Sequence, residues 1–511
     1  MTSEERLYLT RAFYIVAAIT LVRVIVLIVS PLQLYPDEAQ YWFWAQTPAL
    51  GYFSKPPVIG WVIWFTTALF GNGEWAIRIA SPFFHAGTAL LIFGIARIAF
   101  DARTGFWSAL AYLTVPGVSY SCGLASTDVP LLFFWALALY AFLRASTELG
   151  WRWPLICGIA FGWGLMAKYA MLYFVLSAVL AALLVPALRR LVYSTRGLAI
   201  LALGLLILAP NIAWNAVNNF PTIHHTEANA DWSSAHFQVK HIFEFLGGQF
   251  GVFGPLLMVG FVLALWGMVR GKPGGKATIL MCFAVPPIVL MTAQAFISEA
   301  NANWAATAYV AATPLAVYVL LHHYRRTLLW GSFAINGLAM AALWAIYVSP
   351  PFADVIGQGN AFKRMEGWQT MAAQVMQTAE AGGYDAIATG NRSVVAELVY
   401  YARASTVPIR MWDADSHDDD HFQMTIRLTP QSKRVLLAIL PKDEDAVLPT
   451  FDSVDRLGSI VMPIGGHHTR TILLFDARNY RGPPQAGDEK AAVIQRAQAI
   501  PHEHRSRAAA L

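Results

Sequence analysis

Apolar residues run in long stretches through the first 350 positions, and polar residues are confined to short breaks between them. Crossing about 30 Å of hydrocarbon takes roughly 20 mostly apolar helical residues. On that measure the pattern predicts spans near 12–30, 78–99, 105–122, 128–145, 153–167, 170–188, 197–215, 247–269, 277–297, 303–321 and 329–349, about eleven in all. The fifth and sixth are short enough to be tilted or broken. A further stretch at 57–71 is short and bounded by prolines, which reads as interfacial. From Phe352 the pattern changes to that of a soluble domain. It predicts a helix over 366–381, a strand over 384–390, an amphipathic helix over 392–403, and strands near 408–412, 434–440, 459–464 and 470–476. Helices and strands intermixed in this way make a small α/β domain over 351–482. The tail, 483–511, is rich in Ala, Gln and charge, a disordered composition. The fold class expected is a polytopic α-helical membrane protein with outer-face juxtamembrane helices and a C-terminal soluble α/β domain.

Charge orients the spans. One set of loops carries Arg97 with Arg103, Arg144 with Arg152, Arg189 and Arg190 with Arg196, Arg270 with Lys272 and Lys276, and Arg325 with Arg326. The positive-inside rule makes these loops and the N-terminus cytoplasmic. The outward set is then 31–77, 122–128, 167–169, 216–246, 298–303 and everything after 350. The first apolar stretch lacks a small-residue cleavage site and reads as a retained anchor.

Composition sharpens this picture. Charged residues make up 13% and hydrophobic residues 57% of the 511 positions, against about 25% charged in soluble proteins. The net charge of +5 follows from topology and does not indicate a nucleic-acid surface. The three cysteines are widely spaced and form neither a metal spacing nor a disulfide framework.

The unusual polar residues lie in the outward loops. PDEAQYWFWAQTPALGYFSKPP holds the acid pair Asp37 and Glu38, and Lys55 between aromatics and two prolines. As a helix, 37–46 places Asp37, Tyr41 and Trp44 on one face. Lys55 and Lys168 run against the positive-inside trend, and a cation so placed calls for an anionic ligand. An acid and a fixed cation at one membrane surface suit a lipid-borne phosphate substrate, the carboxylate serving as base. Asp128, in STDVPL, reads both as a helix cap and as a site acid. Lys168 reads both as a snorkelling side chain and as a phosphate contact. Arg78, at a span start, reads first as an interfacial anchor.

The order PDEAQY, YFSKPP, FGNGEWAIRIASP and then an outward STDVPL resembles the polyprenyl-phosphate-sugar glycosyltransferases of the GT-C class, in the bacterial branch of glycosyltransferase family 39. That branch includes aminoarabinose transferases and protein mannosyltransferase-like enzymes. The resemblance covers the membrane region, is strongest over 30–170, and makes 1–350 the catalytic domain. It implies Asp37 as catalytic base, Asp128 as a second site acid, and Lys55 on the donor phosphate, helped by Lys168 or Arg78. It implies inverting displacement of polyprenyl phosphate, with the acceptor a lipid A or core sugar, a surface glycan or a protein. Inner-membrane residence with a periplasmic site follows. In aminoarabinose transferases a glutamate linked to a bound metal precedes this lysine. Here Ser54 stands there, which argues against a metal at that spot; no metal ligand is assigned, and a divalent metal is the one cofactor left open.

Glu38 and Tyr41 join the expected substrate contacts. His224 and His225, with Glu227, read as an exposed loop, a polar substrate contact or a divalent-metal site, and adjacent histidines call for loop geometry there. Glu299 and Trp304, in ISEANANW, are a cap-like acid and a sugar-stacking candidate. His417 and His421 flank three aspartates in what reads as a solvated acidic turn. Two other classes compete, a transporter or flippase of lipid-linked sugars and a membrane scaffold. Transporters keep ionisable groups near the midplane and show repeats, neither of which this sequence displays.

Overall fold

Thr2 begins the first helix with a capping box, its hydroxyl accepting from the Glu5 N–H while the Glu5 carboxylate accepts from the Thr2 N–H. That helix, α1 (Ser3–Val29), is the first of a mostly helical chain. The computed structural model describes residues 2–230, 237–271, 275–323, 326–413 and 418–482. The tail at 483–511, His417, Lys272 and Arg325 lie outside the described residues.

The chain forms two compact units, one of Met1–Leu32 with Tyr41–Gln358, the other of Gln33–Gln40 with Gly359 onward. The first is membrane-embedded. Among the described residues six helices are long and apolar enough to cross a membrane, and two bent pairs raise the number to eight. The predicted span at 247–269 is one of these pairs. Helices Val239–Phe253 and Pro255–Arg270 meet at 111°, because Gly254 takes φ +93°, which glycine tolerates and a proline follows. The predicted span at 170–188 bends by 119° at Pro186. The predicted span at 105–122 stops at Thr114 and restarts at Pro116, a residue that cannot continue the backbone ladder.

Between the spans, α2 (Pro36–Ala45) and α3 (Val58–Phe70) flank the YFSKPP loop. Helices α4 (Asp128–Thr147) and α5 (Arg152–Ala167) pack antiparallel, with Trp135, Leu139, Cys157 and Phe161 in the core. Then α6 (Thr195–Val217) runs into α7 (Pro221–Ala230). The 221–230 segment is thus a helix and not the loop expected from its adjacent histidines. Asn219 and Phe220 take positive φ and turn the chain, and Pro221 pre-sets the first helical residue.

The second unit is a five-stranded sheet in the order β2-β1-β3-β5-β4. Helix α8 (Trp368–Gly382) precedes β1 (Ala386–Thr389), and α9 (Arg392–Tyr401) crosses from β1 to β2 (Ile409–Met411). Strands β1 and β2 are parallel, as are β1 and β3 (Arg434–Ile439). The hairpin of β4 (Phe451–Ile464) and β5 (His468–Tyr480) joins β3 antiparallel. β4 starts at Phe451, earlier than its pattern indicates, since its middle is polar and exposed. Alternation sorts the core. Ile387, Leu436 and Leu474 meet α8 and α9, while Ala388, Leu437 and Phe475 pack on the opposite face with Trp412 and Phe451.

Candidate functional site

The loop carrying Lys55 is held from several sides. Tyr52 and Lys55 exchange backbone hydrogen bonds of 3.1 and 3.4 Å, closing a tight turn over Phe53 and Ser54. The Tyr52 ring stacks on Trp44 at 4.7 Å and 4°. Its hydroxyl donates to the Trp44 carbonyl at 3.1 Å and accepts from the Ala49 N–H at 3.2 Å. Burial pushes this phenol up to about 12, so it stays a neutral donor. The Thr222 hydroxyl donates to the Tyr52 carbonyl at 3.1 Å, and the Asn211 amide to the Leu50 carbonyl at 2.8 Å. Two prolines then fix the entry to α3, limiting the positions open to Lys55.

Lys55 lines a cavity of about 480 Å³ with Lys168, Tyr169, Thr222, Gln294 and Trp304. Lys168 follows the last residue of α5, where a cation complements the helix C-terminus. Its ammonium lies 2.6 Å from Asp128 Oδ1, and the Asn303 amide donates to Asp128 Oδ2 at 2.9 Å. Asp128 is the first residue of α4, and the preceding Thr127 makes no side-chain cap. Both Asp128 oxygens are therefore engaged in holding Lys168 and Asn303 rather than in capping. The Tyr169 hydroxyl donates to Asn211 Oδ1 at 2.5 Å and accepts from the Asn215 amide at 3.3 Å. This pins the turn after Lys168 to α6, the helix that also steadies Leu50. The Lys55 ammonium on a largely apolar cavity, with the Asp128-paired Lys168 as a second donor, suits an anion, because low dielectric strengthens charge-assisted hydrogen bonds.

The other expected residues are distributed differently. Asp37 belongs to the second unit, where its Oδ1 lies 2.9 Å from the Arg392 guanidinium and its side chain is 40% exposed. Glu38 is buried and accepts from the Tyr35 N–H at 2.9 Å, which caps α2. Tyr41 tilts against Trp44 at 5.0 Å. Arg78 is 1% exposed and donates to the Leu32 carbonyl at 2.9 Å. It ties the residues after α1 to the next span and is not an interfacial anchor. His224 is exposed beside Glu227 at 3.7 Å, and His225 meets the edge of Phe53. Glu299 faces a separate cavity of about 220 Å³ with His241 and Glu244. The acidic turn in the second unit is not solvated throughout. Asp420 is buried and caps the helix His421–Ile426, and His421 is buried too.

A metal does not fit at the Lys55 loop, since Ser54 offers no carboxylate beside it. Among the described residues no group of three or more His, Cys, Asp or Glu gathers as a ligand set.

Sequence reasoning missed Tyr169, Asn211, Asn215, Thr222 and Arg392. Asn211 and Asn215 did leave a signal, two amides at i and i+4 inside an apolar span. Arg392 left none, because an arginine in a soluble segment is unremarkable by composition.

Residues 54–214 match the family model described as dolichyl-phosphate-mannose-protein mannosyltransferase. The lipid A galacturonosyltransferase RgtD of Rhizobium johnstonii is 36% identical over 397 residues, covering 77% of this chain and 83% of that protein. The undecaprenyl phosphate-alpha-4-amino-4-deoxy-L-arabinose arabinosyl transferase 1 of Sodalis glossinidius is 28% identical over 292 residues, half of each chain. The structure of ArnT from Cupriavidus metallidurans bound to undecaprenyl phosphate superposes with a TM-score of 0.65, at 19% identity over 92% of this chain and 99% of that one, and so shares its fold. This chain belongs to the polyprenyl-phosphate-sugar glycosyltransferases of the GT-C class, in the bacterial branch of glycosyltransferase family 39.

Proposed function

We propose that this enzyme moves a galacturonic acid residue from a polyprenyl-phosphate carrier to lipid A on the periplasmic face of the inner membrane. The observation that carries the reading is the cavity shared by Lys55 and the Asp128-tethered Lys168. The 36% identity to a lipid A galacturonosyltransferase points to the sugar and acceptor. Residues 1–350 act as the catalytic domain, 31–77 as its first periplasmic loop, and 351–482 as a periplasmic domain.

Lys55 holds the donor phosphate, and Lys168, its charge offset and its position fixed by Asp128, offers a further hydrogen-bond donor as the leaving group forms. Asp37 takes the proton from the acceptor hydroxyl while that oxygen bonds to the anomeric carbon. The bond from the anomeric carbon to the phosphate oxygen breaks, its electrons leave with polyprenyl phosphate, and the configuration inverts. Trp304 offers a face for the sugar ring.

The test is mass spectrometry of lipid A and polyprenyl-linked sugars from wild type, a deletion strain, and the deletion carrying D37N or K55M. The expected result is loss of one uronic acid from lipid A, with the lipid-linked sugar accumulating, in all three defective strains. A wild-type profile in the D37N strain, with the protein present in the membrane, would overturn the assignment of the base.

A further inference from the structure

The segment carrying Asp37 is fastened to the C-terminal unit residue by residue. Gln33 Oε1 accepts from the N–H groups of Trp368 and Gln369 at 2.7 and 3.1 Å. The Tyr401 hydroxyl accepts from the Leu34 N–H at 2.8 Å. The Arg364 guanidinium lies 4.3 Å above the Tyr35 ring. On the next turn Arg392 Nη1 reaches Asp37 Oδ1 at 2.9 Å and also donates to the Gln40 side chain. Asp37 and Gln40 stand at i and i+3, so one guanidinium grips one face of α2.

Arg392 is the first residue of α9, whose N–H groups are capped by Asn391 through Ser393 and Val394. A cation in a first turn opposes the helix dipole, so the helix itself does not call for arginine there. Asp420 and Tyr35 share its electrostatic surroundings, yet its close polar contacts are to α2. Among the described residues Asp37 Oδ2 makes no hydrogen bond. The carboxylate is thus held by one oxygen and leaves the other unengaged, the arrangement an oriented general base requires.

We propose that Arg392 is a positioning residue for Asp37, which makes the C-terminal unit a contributor to the chemistry and not only to acceptor access. The proposal rests on the reading of Asp37 as the base. Arg392 fixes Oδ1 so that Oδ2 accepts the acceptor's proton as the new glycosidic bond forms and polyprenyl phosphate departs. Arg392 itself exchanges no proton.

The experiment uses the full-length protein in lipid nanodiscs, with polyprenyl-phosphate-linked galacturonic acid as donor and lipid A as acceptor. R392Q and R392A are expected to lower kcat about 10- to 100-fold, with KM for both substrates within about twofold of wild type. R392K is expected to recover part of the loss, and added guanidinium to raise the turnover of R392A. R392A serves where R392Q fails to accumulate. If D37N is inactive while both Arg392 variants keep kcat within twofold of wild type, the proposal falls. It also falls if their loss is rescued neither by R392K nor by guanidinium, since Arg392 would then only hold the fold. Wild-type turnover in D37N would instead overturn the base assignment, and this proposal with it.

Discussion

Asp128 is tied on both oxygens, to the Lys168 ammonium and the Asn303 amide. Removing either member of the charged pair leaves the other in a half-buried site without its partner. D128N and K168M are each expected to lower kcat about 100-fold or more, the scale of losing one electrostatic stabiliser. Because the two act as one unit, the double variant is expected to be no worse than the poorer single, a coupling of about 3 kcal/mol or more. A double-mutant cycle on the purified enzyme measures this, and simple additivity would mean that the pair does not act jointly. Asn303→Ala should cost less, since it removes a neutral donor. The acid at 128 and the lysine at 168 were legible because each breaks a local expectation, a charge beside an apolar run. What the sequence left open was their pairing, which depends on how α4 and α5 turn their ends toward each other.

At the scale of elements, the Lys55 loop depends on a close approach that sequence cannot reveal. A Cβ added at Gly51 would lie 2.4 Å from the Trp214 ring and 2.7 Å from the Asn211 amide. G51A must therefore displace Trp214 or the loop, at about 1–3 kcal/mol. It is expected to raise KM for the donor severalfold while membrane levels stay near wild type, as steady-state kinetics would report. The helix His421–Ile426 makes a separate pH prediction. Burial lowers the His421 imidazole to about 4, so between about 6.5 and 4 the unfolded segment binds a proton that the folded one does not. Stability there falls as the pH falls through that window, by about 3 kcal/mol at most. Burial raises the neighbouring Asp420 carboxyl, which acts in the opposite sense. Hydrogen exchange of residues 418–428 in the full chain, corrected for intrinsic rates, is expected to lose protection from pH 7 to 5, and H421Q to remove most of that slope.

At the scale of the whole chain, hydropathy located the apolar helices because the length a bilayer demands is a local property. It marked the sixth span, 170–188, as short enough to be tilted or broken, and that span does bend at Pro186, but it did not see the turn at Gly254, a backbone event inside a run that stays apolar. It also could not see that Gln33–Gln40 joins the C-terminal unit, because that grouping depends on contacts more than 300 residues apart. Orientation rests on a different signal, the clustering of arginine in alternate loops, and it can be tested without reference to catalysis. Leu149 is 97% exposed in a loop assigned to the cytoplasm, and the His224 side chain is 71% exposed on the face assigned outward. All three native cysteines are buried, so background labelling is low. A membrane-impermeant maleimide applied to spheroplasts is expected to label H224C at once and L149C only after the membrane is opened. Labelling in the reverse order would invert the topology. It would place Lys55 and Lys168 on the cytoplasmic side, where positive charge is ordinary, and remove the reason for assigning them to an anionic donor.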